Sequence, residues 1–587
     1  MKREEKWVVL AKFADFKGIG ETYGVDPVIA RIVRNREVTG REELDAYFHP
    51  AVSCLHDPAL LKGAKEAVSL LRQKIRERKK IRIIGDYDID GIFSTYILYH
   101  GLCACGAEVD YALPHRVNDG YGLSEKLIRE AYEIGCDTIL TCDNGIAAAA
   151  EIALAKELGM TVIVTDHHEV PLHWEGETST VVLPAADAVV DPKQPGCMYP
   201  FKGICGAVVA WKVLQLLQQQ IGRNDDWKQY LACAAFATVG DVMELRGENR
   251  TITSLGLEQL RHTENIGLQA LIRQNGMEPE ELRAYHIGYV IGPCINATGR
   301  LDTAKRALEL LLEKDPARAS LLAQELVALN ADRKALTAQG FEAAVELVES
   351  RQLWRKQVLV VYLPECHESL AGIIAGRLRE RYYRPTFVLT KGEDCIKGSG
   401  RSIPAYHMYE KLSRVGNLLL KFGGHAMAAG LSLAEEQLQQ FEEALNADAG
   451  LSEEDLTEKI CIDVPMPLSY ISEKLIEQLA VLEPCGNGNE KPVFADRELV
   501  ARRASYIGKE RNMLKLQLMC GTGCMDALYF GDAEEFLDYY RQKYGADQVD
   551  ALLCGRPQQM RFAFIYYPQI NHYQGSSFPQ IVITHYA

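Results

Sequence analysis

Asp166-His167-His168 places one carboxylate and two imidazoles at the end of an apolar run, residues 160–165. Two earlier apolar runs in the same region also end in aspartate, at Asp86 and at Asp143. In an open α/β sheet the carboxyl ends of the strands meet at one crevice, and ligands bind there. The three strand ends therefore predict one acidic pocket that collects metal ions.

The first of these strand ends carries three carboxylates, Asp86, Asp88 and Asp90, followed by Gly91. Calcium-binding loops also begin with alternate aspartates and a glycine, but the twelfth position here is Ile97 rather than glutamate. The aspartates could also cap a helix that begins near residue 92. Three carboxylates within five residues repel one another unless a cation lies between them, which favours a divalent-metal site.

The ligand types at these strand ends indicate which metals would bind. A mixture of carboxylates and imidazoles suits manganese, iron or zinc better than calcium. Four or more carboxylates allow two ions about 3.5–4 Å apart, which activate water and clamp an in-line displacement at phosphorus. Asp241 ends a further apolar run and is a further candidate ligand.

The elements that must position these residues can be read from the hydrophobic pattern. Helical and strand-like segments alternate from about residue 61 to 215, which predicts βαβ units and a parallel sheet. Residues 303–349 are rich in Ala, Leu, Glu and Arg, which predicts long helices between two lobes. A second α/β unit begins at residue 357, and strands alternating with Gly and Asn turns after 451 predict a small β-barrel.

The second α/β unit contains two glycine-rich segments. Lys397-Gly398-Ser399-Gly400-Arg401 offers two cations, a hydroxyl and exposed backbone amides, which predicts an anion-binding loop. Gly423-Gly424-His425 predicts close approach of the backbone to a ligand. For each segment taken singly, a tight turn without a ligand is the alternative.

The bulk composition limits the class of protein. A chain of 587 residues predicts several domains, and a net charge of −15 excludes a surface covered in phosphate-binding lysines. The 16 cysteines lack disulfide or zinc-finger spacing, which indicates reduced thiols. No signal-peptide pattern and no run of about 18 uncharged apolar residues is present, so we expect a cytoplasmic protein without a membrane partner.

Together the motifs resemble the DHH phosphoesterase superfamily, and specifically the RecJ single-strand exonucleases. Four acidic segments are similar to that family's motifs in the expected order: 86–91, 143–145, 166–168 and 239–242. Similar segments elsewhere are Pro114-His115-Arg116-Val117-Asn118-Asp119-Gly120-Tyr121-Gly122, 296–301, His367-Glu368, 398–402, 423–425 and 482–494.

The resemblance implies an α/β fold in which a DHH parallel-sheet domain and a DHH-associated α/β domain are joined by a long helical connector. It implies a C-terminal OB-like β-barrel. The expected domains are a helical lead-in (1–60), the DHH catalytic domain (61–245), the connector with a RecJ-type motif (246–350), the DHH-associated domain (351–450) and the OB-like nucleic-acid-binding domain (451–587).

The resemblance also implies a 5′→3′ exonuclease that hydrolyses single-stranded DNA to mononucleotides in DNA repair and recombination. Two divalent ions, manganese or magnesium, would be held by Asp86, Asp88, Asp90, Asp143, His167 and Asp241. His168 would face the scissile phosphate or support the site, and Arg300 would stabilise charge on the phosphate. Substrate-binding residues would be Arg116, Ser399, Arg401, Gly423, Gly424 and His425. Single-stranded DNA, a helicase and a single-strand-binding protein are the implied partners.

Four departures from the family's usual pattern bear on the shape of the pocket, and one of them is Ser369-Leu370-Ala371-Gly372, where Gly-Val-Ile-Gly is more usual. Ile89 replaces a residue that is usually small, Gly240 stands where alanine is common, and His115 stands where asparagine is common. One alternative function is a phosphodiesterase for cyclic dinucleotides or short oligonucleotides, which the chain length and the C-terminal module oppose. Another is a non-catalytic binding protein on the same fold, which the intact acidic motifs oppose.

Overall fold

The computed structural model describes residues 5–116, 119–120, 122–175, 178–521, 523–573 and 575–587. Val117, Asn118 and Tyr121 of the predicted motif at 114–122 lie outside the described residues. The chain forms two units. Unit 1 contains Met1–Leu44, Ser452–Glu483 and Glu490–Ala587, and unit 2 contains Asp45–Leu451 and Pro484–Asn489.

The N-terminal segment is helical, as predicted, except for one short strand. Its elements are β1 (Glu5–Val9), α1 (Phe16–Tyr23), α2 (Pro27–Asn35) and α3 (Arg41–Phe48). Asp15 and Asp26 cap α1 and α2, because their side chains accept hydrogen bonds from Gly18 N and Val28 N. Carboxylates at these positions satisfy backbone donors that the first helical turn leaves unpaired.

A parallel five-stranded sheet forms the first half of unit 2, which confirms the predicted βαβ pattern. Its strand order is β3-β2-β4-β5-β8, so the direction of winding reverses between β2 and β4. Ligands bind beyond the strand ends at such a reversal. The elements are α4 (Ala64–Arg76), β2 (Lys80–Ile84), α5 (Ile89–Ala104), β3 (Glu108–Ala112), α6 (Glu125–Glu133), β4 (Thr138–Cys142), α7 (Ala149–Glu157), β5 (Thr161–Thr165), a hairpin of β6 (Leu172–Glu175) and β7 (Thr178–Val181), β8 (Ala188–Val190), α8 (Gly206–Gln220) and α9 (Leu231–Gly240).

Helix α5 lies at the centre of the main hydrophobic core. It is apolar around its whole circumference, as expected for a helix without a solvent face. Phe93 packs on Phe236 of α9 with ring centroids 4.7 Å apart, and Gly101 allows close contact with Leu214 of α8. This packing directs the start of α8 and the end of α9 towards the sheet edge where β2, β4 and β5 end.

The connector is helical, as its composition predicts. The run from Ala284 to Leu301 is continuous and contains one π-helical stretch, Ile287–Ile291. Such stretches occur frequently at functional sites. The helices are α10 (Gly247–Arg261), α11 (Ile266–Gln274), α12 (Ala284–His286), α13 (Gly292–Leu301), α14 (Lys305–Leu312) and α15 (Pro316–Ser350).

The second α/β half of unit 2 has a mixed sheet of strand order β12-β13-β11-β10-β9. Its elements are β9 (Leu359–Tyr362), α16 (Ala371–Tyr382), β10 (Thr386–Lys391), β11 (Ile396–Arg401), α17 (Met408–Arg414), β12 (Lys421–Gly424), β13 (Ala428–Leu433) and α18 (Leu438–Ala447).

The structure corrects the prediction that residues 397–401 form a loop with exposed backbone amides. These residues form β11, the middle strand of the mixed sheet, and Ser399 lies between Val388 of β10 and Gly430 of β13. Because the sheet uses the backbone groups, an anion can be bound here only by side chains. Gly423 and Gly424 also belong to a strand, β12, rather than to a turn.

The C-terminal part of unit 1 contains a seven-stranded mixed sheet, where the alternating pattern predicts a small β-barrel, and three helices that were not predicted, α19, α20 and α21. The strand order is β15-β16-β20-β21-β19-β18-β17, while β14 pairs in parallel with β1. The elements are β14 (Glu458–Ile462), β15 (Val464–Pro465), α19 (Glu473–Leu479), β16 (Phe494–Leu499), β17 (Ala501–Ile507), β18 (Met513–Cys520), β19 (Gly523–Tyr529), α20 (Ala533–Tyr544), α21 (Ala546–Leu553), β20 (Phe562–Tyr573) and β21 (Ser576–Tyr586). Among the described residues, no helix combines the length and apolar character that a membrane span requires.

Candidate metal centre

The turn from β2 into α5 carries the first group of carboxylates. Asp86 is fully buried, and its Oδ1 accepts a hydrogen bond from Gly122 N at 3.2 Å. Asp88 is the N-cap of α5, because its Oδ1 accepts from the backbone nitrogens of Asp90 and Gly91. The predicted capping role is therefore real for Asp88, and it uses one of the two carboxylate oxygens. Gly91 is required, because a Cβ atom there would lie 2.5 Å from the backbone of Asp86.

Asp90 is held by the first turn of α8. Its two oxygens accept hydrogen bonds from Gly206 N at 2.6 Å and from Ala207 N at 2.8 Å. A helix N-terminus presents unpaired backbone N–H groups, so this contact fixes the position of the carboxylate. Sequence reasoning missed Gly206 and Ala207, and their only signal was a glycine just before an apolar helix. A Cβ atom at Gly206 would lie 2.6 Å from Asp143 Cβ.

The ends of β4 and α9 contribute the next two carboxylates. Asp143 is buried in the left-handed backbone region, with φ of 60°. Neighbouring Asn144 donates to Ile84 O and Cys142 O, which ties the ends of β2 and β4 together. Asp241 follows the last turn of α9, and Val242 after it has φ of 57°. Such a conformation is unusual for a β-branched residue, and strained backbone of this kind clusters at functional sites.

The residues of Asp166-His167-His168 lie in different surroundings. Asp166 Oδ2 accepts from Ile146 N at 2.9 Å, and its Oδ1 lies 2.7 Å from His168 Nδ1. Asp166 therefore positions its neighbours. His167 points inward, with Nε2 at 3.1 Å from Asp143 Oδ1, 3.5 Å from Asp90 Oδ2 and 3.8 Å from Asp241 Oδ2. The side chain of His168 is 44% exposed.

The structure brings all six predicted ligands into three overlapping groups. Within each group, ligand atoms of the three residues lie within 4.8 Å of one another. The groups are Asp143 with His167 and His168, Asp90 with His167 and Asp241, and Asp86 with Asp88 and Asp143. Since Asp143 and His167 each belong to two groups, the arrangement suits adjacent ions that share ligands.

Burial and mutual repulsion make the carboxylates of this cluster weak acids. Burial raises the pKa of Asp86, Asp143 and Asp241 well above the ordinary aspartate value, and the charges of neighbouring aspartates raise it further. A divalent cation would offset this repulsion and release the protons that the carboxylates otherwise retain.

The two histidines have opposite pKa shifts. Burial lowers the pKa of His167 to about 4, so its imidazole is neutral near pH 7, as a metal ligand must be. Burial also opposes the charged form of His168, but the hydrogen bond and charge of Asp166 outweigh it and raise the pKa to about 9. His168 therefore carries a positive charge near pH 7.

One buried carboxylate oxygen fits a bound cation. In the part of the chain that the structure describes, Asp86 Oδ2 is shielded from solvent and has no hydrogen-bond partner. Unpaired buried polar atoms are costly, and they indicate a ligand. Carboxylate oxygens with one neutral imidazole form a donor set that suits Mn²⁺ and also accommodates Mg²⁺.

Helix α13 contacts the β2–α5 turn. Asn296 Oδ1 accepts from Ile89 N at 3.0 Å, and Gly299 allows the helix to approach the backbone of Tyr87. Arg300 at the end of this helix donates to Ser369 O at 2.8 Å. Burial, then the charges of nearby arginines, lower the pKa of Arg300 to about 9.

Two of the predicted substrate-binding residues, Arg116 and Arg401, lie within electrostatic range of Arg300. The guanidinium of Arg116 stands over the ring of Tyr87, 4.9 Å from its centroid. Burial lowers the pKa of Arg401, and the charge of Arg116 lowers it further. Arg401 and Ser399 both line the surface next to Gly372 in the first turn of α16. His425 is within electrostatic range of Arg401 and of His168, and it follows Gly423 and Gly424 of β12.

Three family models match separate parts of this chain. The DHH family N-terminal domain matches residues 80–238, the DHHA1 domain matches 355–450, and the RecJ OB domain matches 462–585. These matches confirm the predicted fold class. They cover the parallel sheet, all of its acidic cluster except Asp241, the mixed sheet and the C-terminal module.

Curated relatives match this chain over most of its length. The single-stranded-DNA-specific exonuclease RecJ of Dickeya dadantii is 32% identical over 95% of this chain and 95% of its own length. The protein of the same name from Salmonella typhimurium is 34% identical over 86% of this chain and 89% of its own length. The chain belongs to the RecJ family. The match to RecJ of Bacillus subtilis, 35% identical over 88% of this chain, spans 64% of that relative's length.

Solved RecJ structures share the fold. Thermus thermophilus RecJ in complex with Mn²⁺ matches with a TM-score of 0.82 and 28% identity, over 99% of this chain and 79% of that one. A second structure, an exonuclease RecJ bound to manganese, matches with a TM-score of 0.58 and 34% identity. That match spans 69% of this chain and the whole of the other chain.

Two of the residues that depart from the usual RecJ pattern contact each other. A Cβ atom at Gly240 would lie 2.5 Å from Ile89 Cδ1, so the glycine leaves the space that the isoleucine fills. The two departures therefore compensate for each other in volume, and Ile89 remains buried beside the metal centre.

Proposed function

We propose that this chain is a divalent-metal-dependent exonuclease that hydrolyses single-stranded DNA from the 5′ end to mononucleotides. The observation that carries the proposal is the cluster of five aspartates around the neutral imidazole of His167, with Arg300 beside it. Its relatives are named single-stranded-DNA-specific exonucleases, which supports the same substrate.

Two ions, manganese or magnesium, would be held by Asp86, Asp88, Asp90, Asp143, His167 and Asp241. Bound divalent ions would make hydroxide available near neutral pH and stabilise charge at phosphorus. The chain's residues fix the ligand positions: Gly206 N and Ala207 N hold Asp90, and Gly91 N holds Asp88. Because these contacts exist before any ion arrives, little reorganisation is needed.

Two cationic side chains would act on the phosphate itself. His168 is protonated near pH 7 and partly open to solvent, so it can donate a hydrogen bond to a phosphate oxygen. Arg300 is oriented by its hydrogen bond to Ser369 O, and it would stabilise negative charge that develops on the phosphate.

The 5′-terminal phosphate would be bound by Arg116, Ser399 and Arg401, with Gly423 and Gly424 at the end of β12 and His425 directly after it. Arginine suits this role, because its planar group donates two parallel hydrogen bonds to phosphate oxygens. A bound phosphate would offset the repulsion between the charges of Arg116 and Arg401.

The C-terminal module would hold the strand by stacking and backbone charge, as OB domains do. A helicase and a single-strand-binding protein as partners, a role in DNA repair and recombination, and a cytoplasmic location stay predictions.

Product analysis with a 5′-phosphorylated single strand tests the proposal. Wild-type protein with Mn²⁺ should release mononucleotides from the 5′ end, and chelation should stop the reaction. If the strand stays intact while a cyclic dinucleotide is cleaved, the chain is a small-substrate phosphodiesterase instead. Binding of the strand without any cleavage would indicate the non-catalytic alternative.

A further inference from the structure

Two arginines without a predicted role lie on helices that converge at Arg300. Arg333 belongs to α15 and Arg377 belongs to α16. The end of α13 meets the segment before α16 where Arg300 donates to Ser369 O. Helix α13 also contacts α15, where Asn330 Nδ2 donates to Cys294 Sγ at 3.3 Å.

The guanidinium groups of Arg333 and Arg377 lie near one side of α15. Arg333 Nε and Nη2 both donate to Asn330 Oδ1, at 3.1 and 2.9 Å, and Asn330 is buried, so the group is held in place. Arg377 is exposed, and its Cζ stands 5.9 Å from the ring centroid of Phe341. Phe341 follows Arg333 by about two helical turns, or about 12 Å along the axis.

These cations have like charges as neighbours. Among the described residues, no carboxylate lies within 4.0 Å of Arg333 or Arg377, whereas Arg379 on the same helix as Arg377 pairs with Glu380 at 3.0 Å. Burial, then the charge of Arg377, lower the pKa of Arg333. The charge of Arg333 in turn lowers the pKa of Arg300. In a chain of net charge −15, such a row of cations indicates an anionic ligand.

We infer that Arg333 and Arg377 bind backbone phosphates of the single strand beyond the phosphodiester at the metal centre. This inference rests on the proposed function, and it adds two contacts to the predicted site. A guanidinium group recognises phosphate without reading the base, so these contacts would add affinity for any sequence. Because Arg333 lies on α15 and Arg377 lies on α16 over Phe341, we expect the two groups to contact different phosphates.

Binding in EDTA tests the inference without cleavage. Full-length wild-type, Arg333→Gln and Arg377→Gln proteins are titrated into a labelled 20-nucleotide single strand at several KCl concentrations. Arg381→Gln is the matched control, because Arg381 lies one turn after Arg377 on α16 and its Cζ stands over Tyr382. Each test variant should weaken binding about 5–20-fold. Each should also lower the salt dependence of binding by about 0.7, the value for one phosphate contact. The control should stay within about twofold.

Neutral methylphosphonate linkages placed one at a time along the strand then locate each contact. The penalty of Arg333→Gln should disappear when one particular phosphate is neutral, and that of Arg377→Gln when a different one is neutral. Arg333→Lys should retain most of the affinity. That result would show that Arg333→Gln weakens binding by removing a charge rather than by disturbing the fold.

Affinity equal to that of Arg381→Gln, or a penalty that no neutral linkage removes, would overturn the inference. That result is distinct from failure of the proposed function, in which wild-type protein binds the strand but releases no nucleotides with Mn²⁺.

Discussion

At the scale of single residues, the environment of each group in Asp166-His167-His168 determines what it can do. The sequence was sufficient to predict metal chemistry, because residue types and strand ends are visible in it. The different roles of the three residues could not be predicted, since they depend on contacts from distant segments. Asp166 uses its oxygens on Ile146 N and His168, whereas His167 faces Asp90, Asp143 and Asp241.

Replacing a residue shared by two ligand groups should remove activity while the fold survives. We expect His167→Ala or Asp143→Ala to reduce turnover of single-stranded DNA by more than about 100-fold, because changes in outer contacts alone cost about 10–100-fold. Asp225→Asn, in an exposed ion pair with Lys228, is the control and should retain activity. Steady-state rates with Mn²⁺ and metal titrations provide the measurement. Wild-type rates in either alanine variant would contradict the ligand assignment.

The charge on Asp166 should control the titration of His168. Asp166→Asn keeps the shape of the side chain but removes its charge, so the pKa of His168 should fall from about 9 towards its ordinary value. The raised pKa contributes stability that is full below the unfolded value near about 6.5 and is lost as pH rises through about 9. NMR titration of His168 in metal-free protein measures the shift. An unchanged pKa in the variant would show that Asp166 is not its cause.

At the scale of elements, the parallel strands were predictable because their buried runs and intervening helices alternate regularly. Two features were not. The glycine-rich segment 397–401 was predicted to be a loop, yet it is a central strand whose small residues allow Leu389, Phe387 and Met408 to pack over it. The contact of Asp90 with the start of α8 joins segments more than 100 residues apart, and no local pattern reveals it.

The contact between α5 and α9 supports a test of volume compensation. Gly240→Ala should destabilise the protein by about 1–3 kcal/mol, because the added methyl group overlaps Ile89. In the double variant with Ile89→Ala, much of that cost should disappear, so the two changes are not additive. Chemical denaturation of the four proteins of this cycle gives the coupling free energy. Strict additivity would show that the two side chains do not share this space.

At the scale of the whole molecule, the division into units could not be predicted from sequence order. Helix-start signals predict a helical lead-in over residues 1–60, and contacts group Met1–Leu44 with the C-terminal module. Within unit 1, Arg36 and Asp463 form a buried pair with two hydrogen bonds, at 2.6 and 3.1 Å. Long-range pairing of this kind leaves no periodic signal in either segment.

A substitution in the N-terminal segment should therefore unfold the C-terminal module first. Arg36→Ala leaves Asp463 buried without its partner, which should cost about 3–5 kcal/mol in unit 1. Arg34→Ala, on the same helix and in a more exposed pair with Glu37, should cost less than about 1 kcal/mol. Hydrogen exchange of β16 to β21 reports the loss of protection. Equal protection in the two variants would contradict the assignment of residues 1–44 to this unit.

The parallel pairing of β1 with β14 has a consequence for synthesis of the chain. Glu5 leaves the ribosome about 450 residues before its partner Glu458 exists. At about 5–20 residues per second, the first strand waits roughly 20–90 s with an unpaired, aggregation-prone edge. The Asp45–Leu451 segment of unit 2 is synthesised before Glu458 and can begin to fold during this interval. We therefore expect ribosome-associated chaperones that shield nascent strands to bind β1 rather than the strands of the parallel sheet.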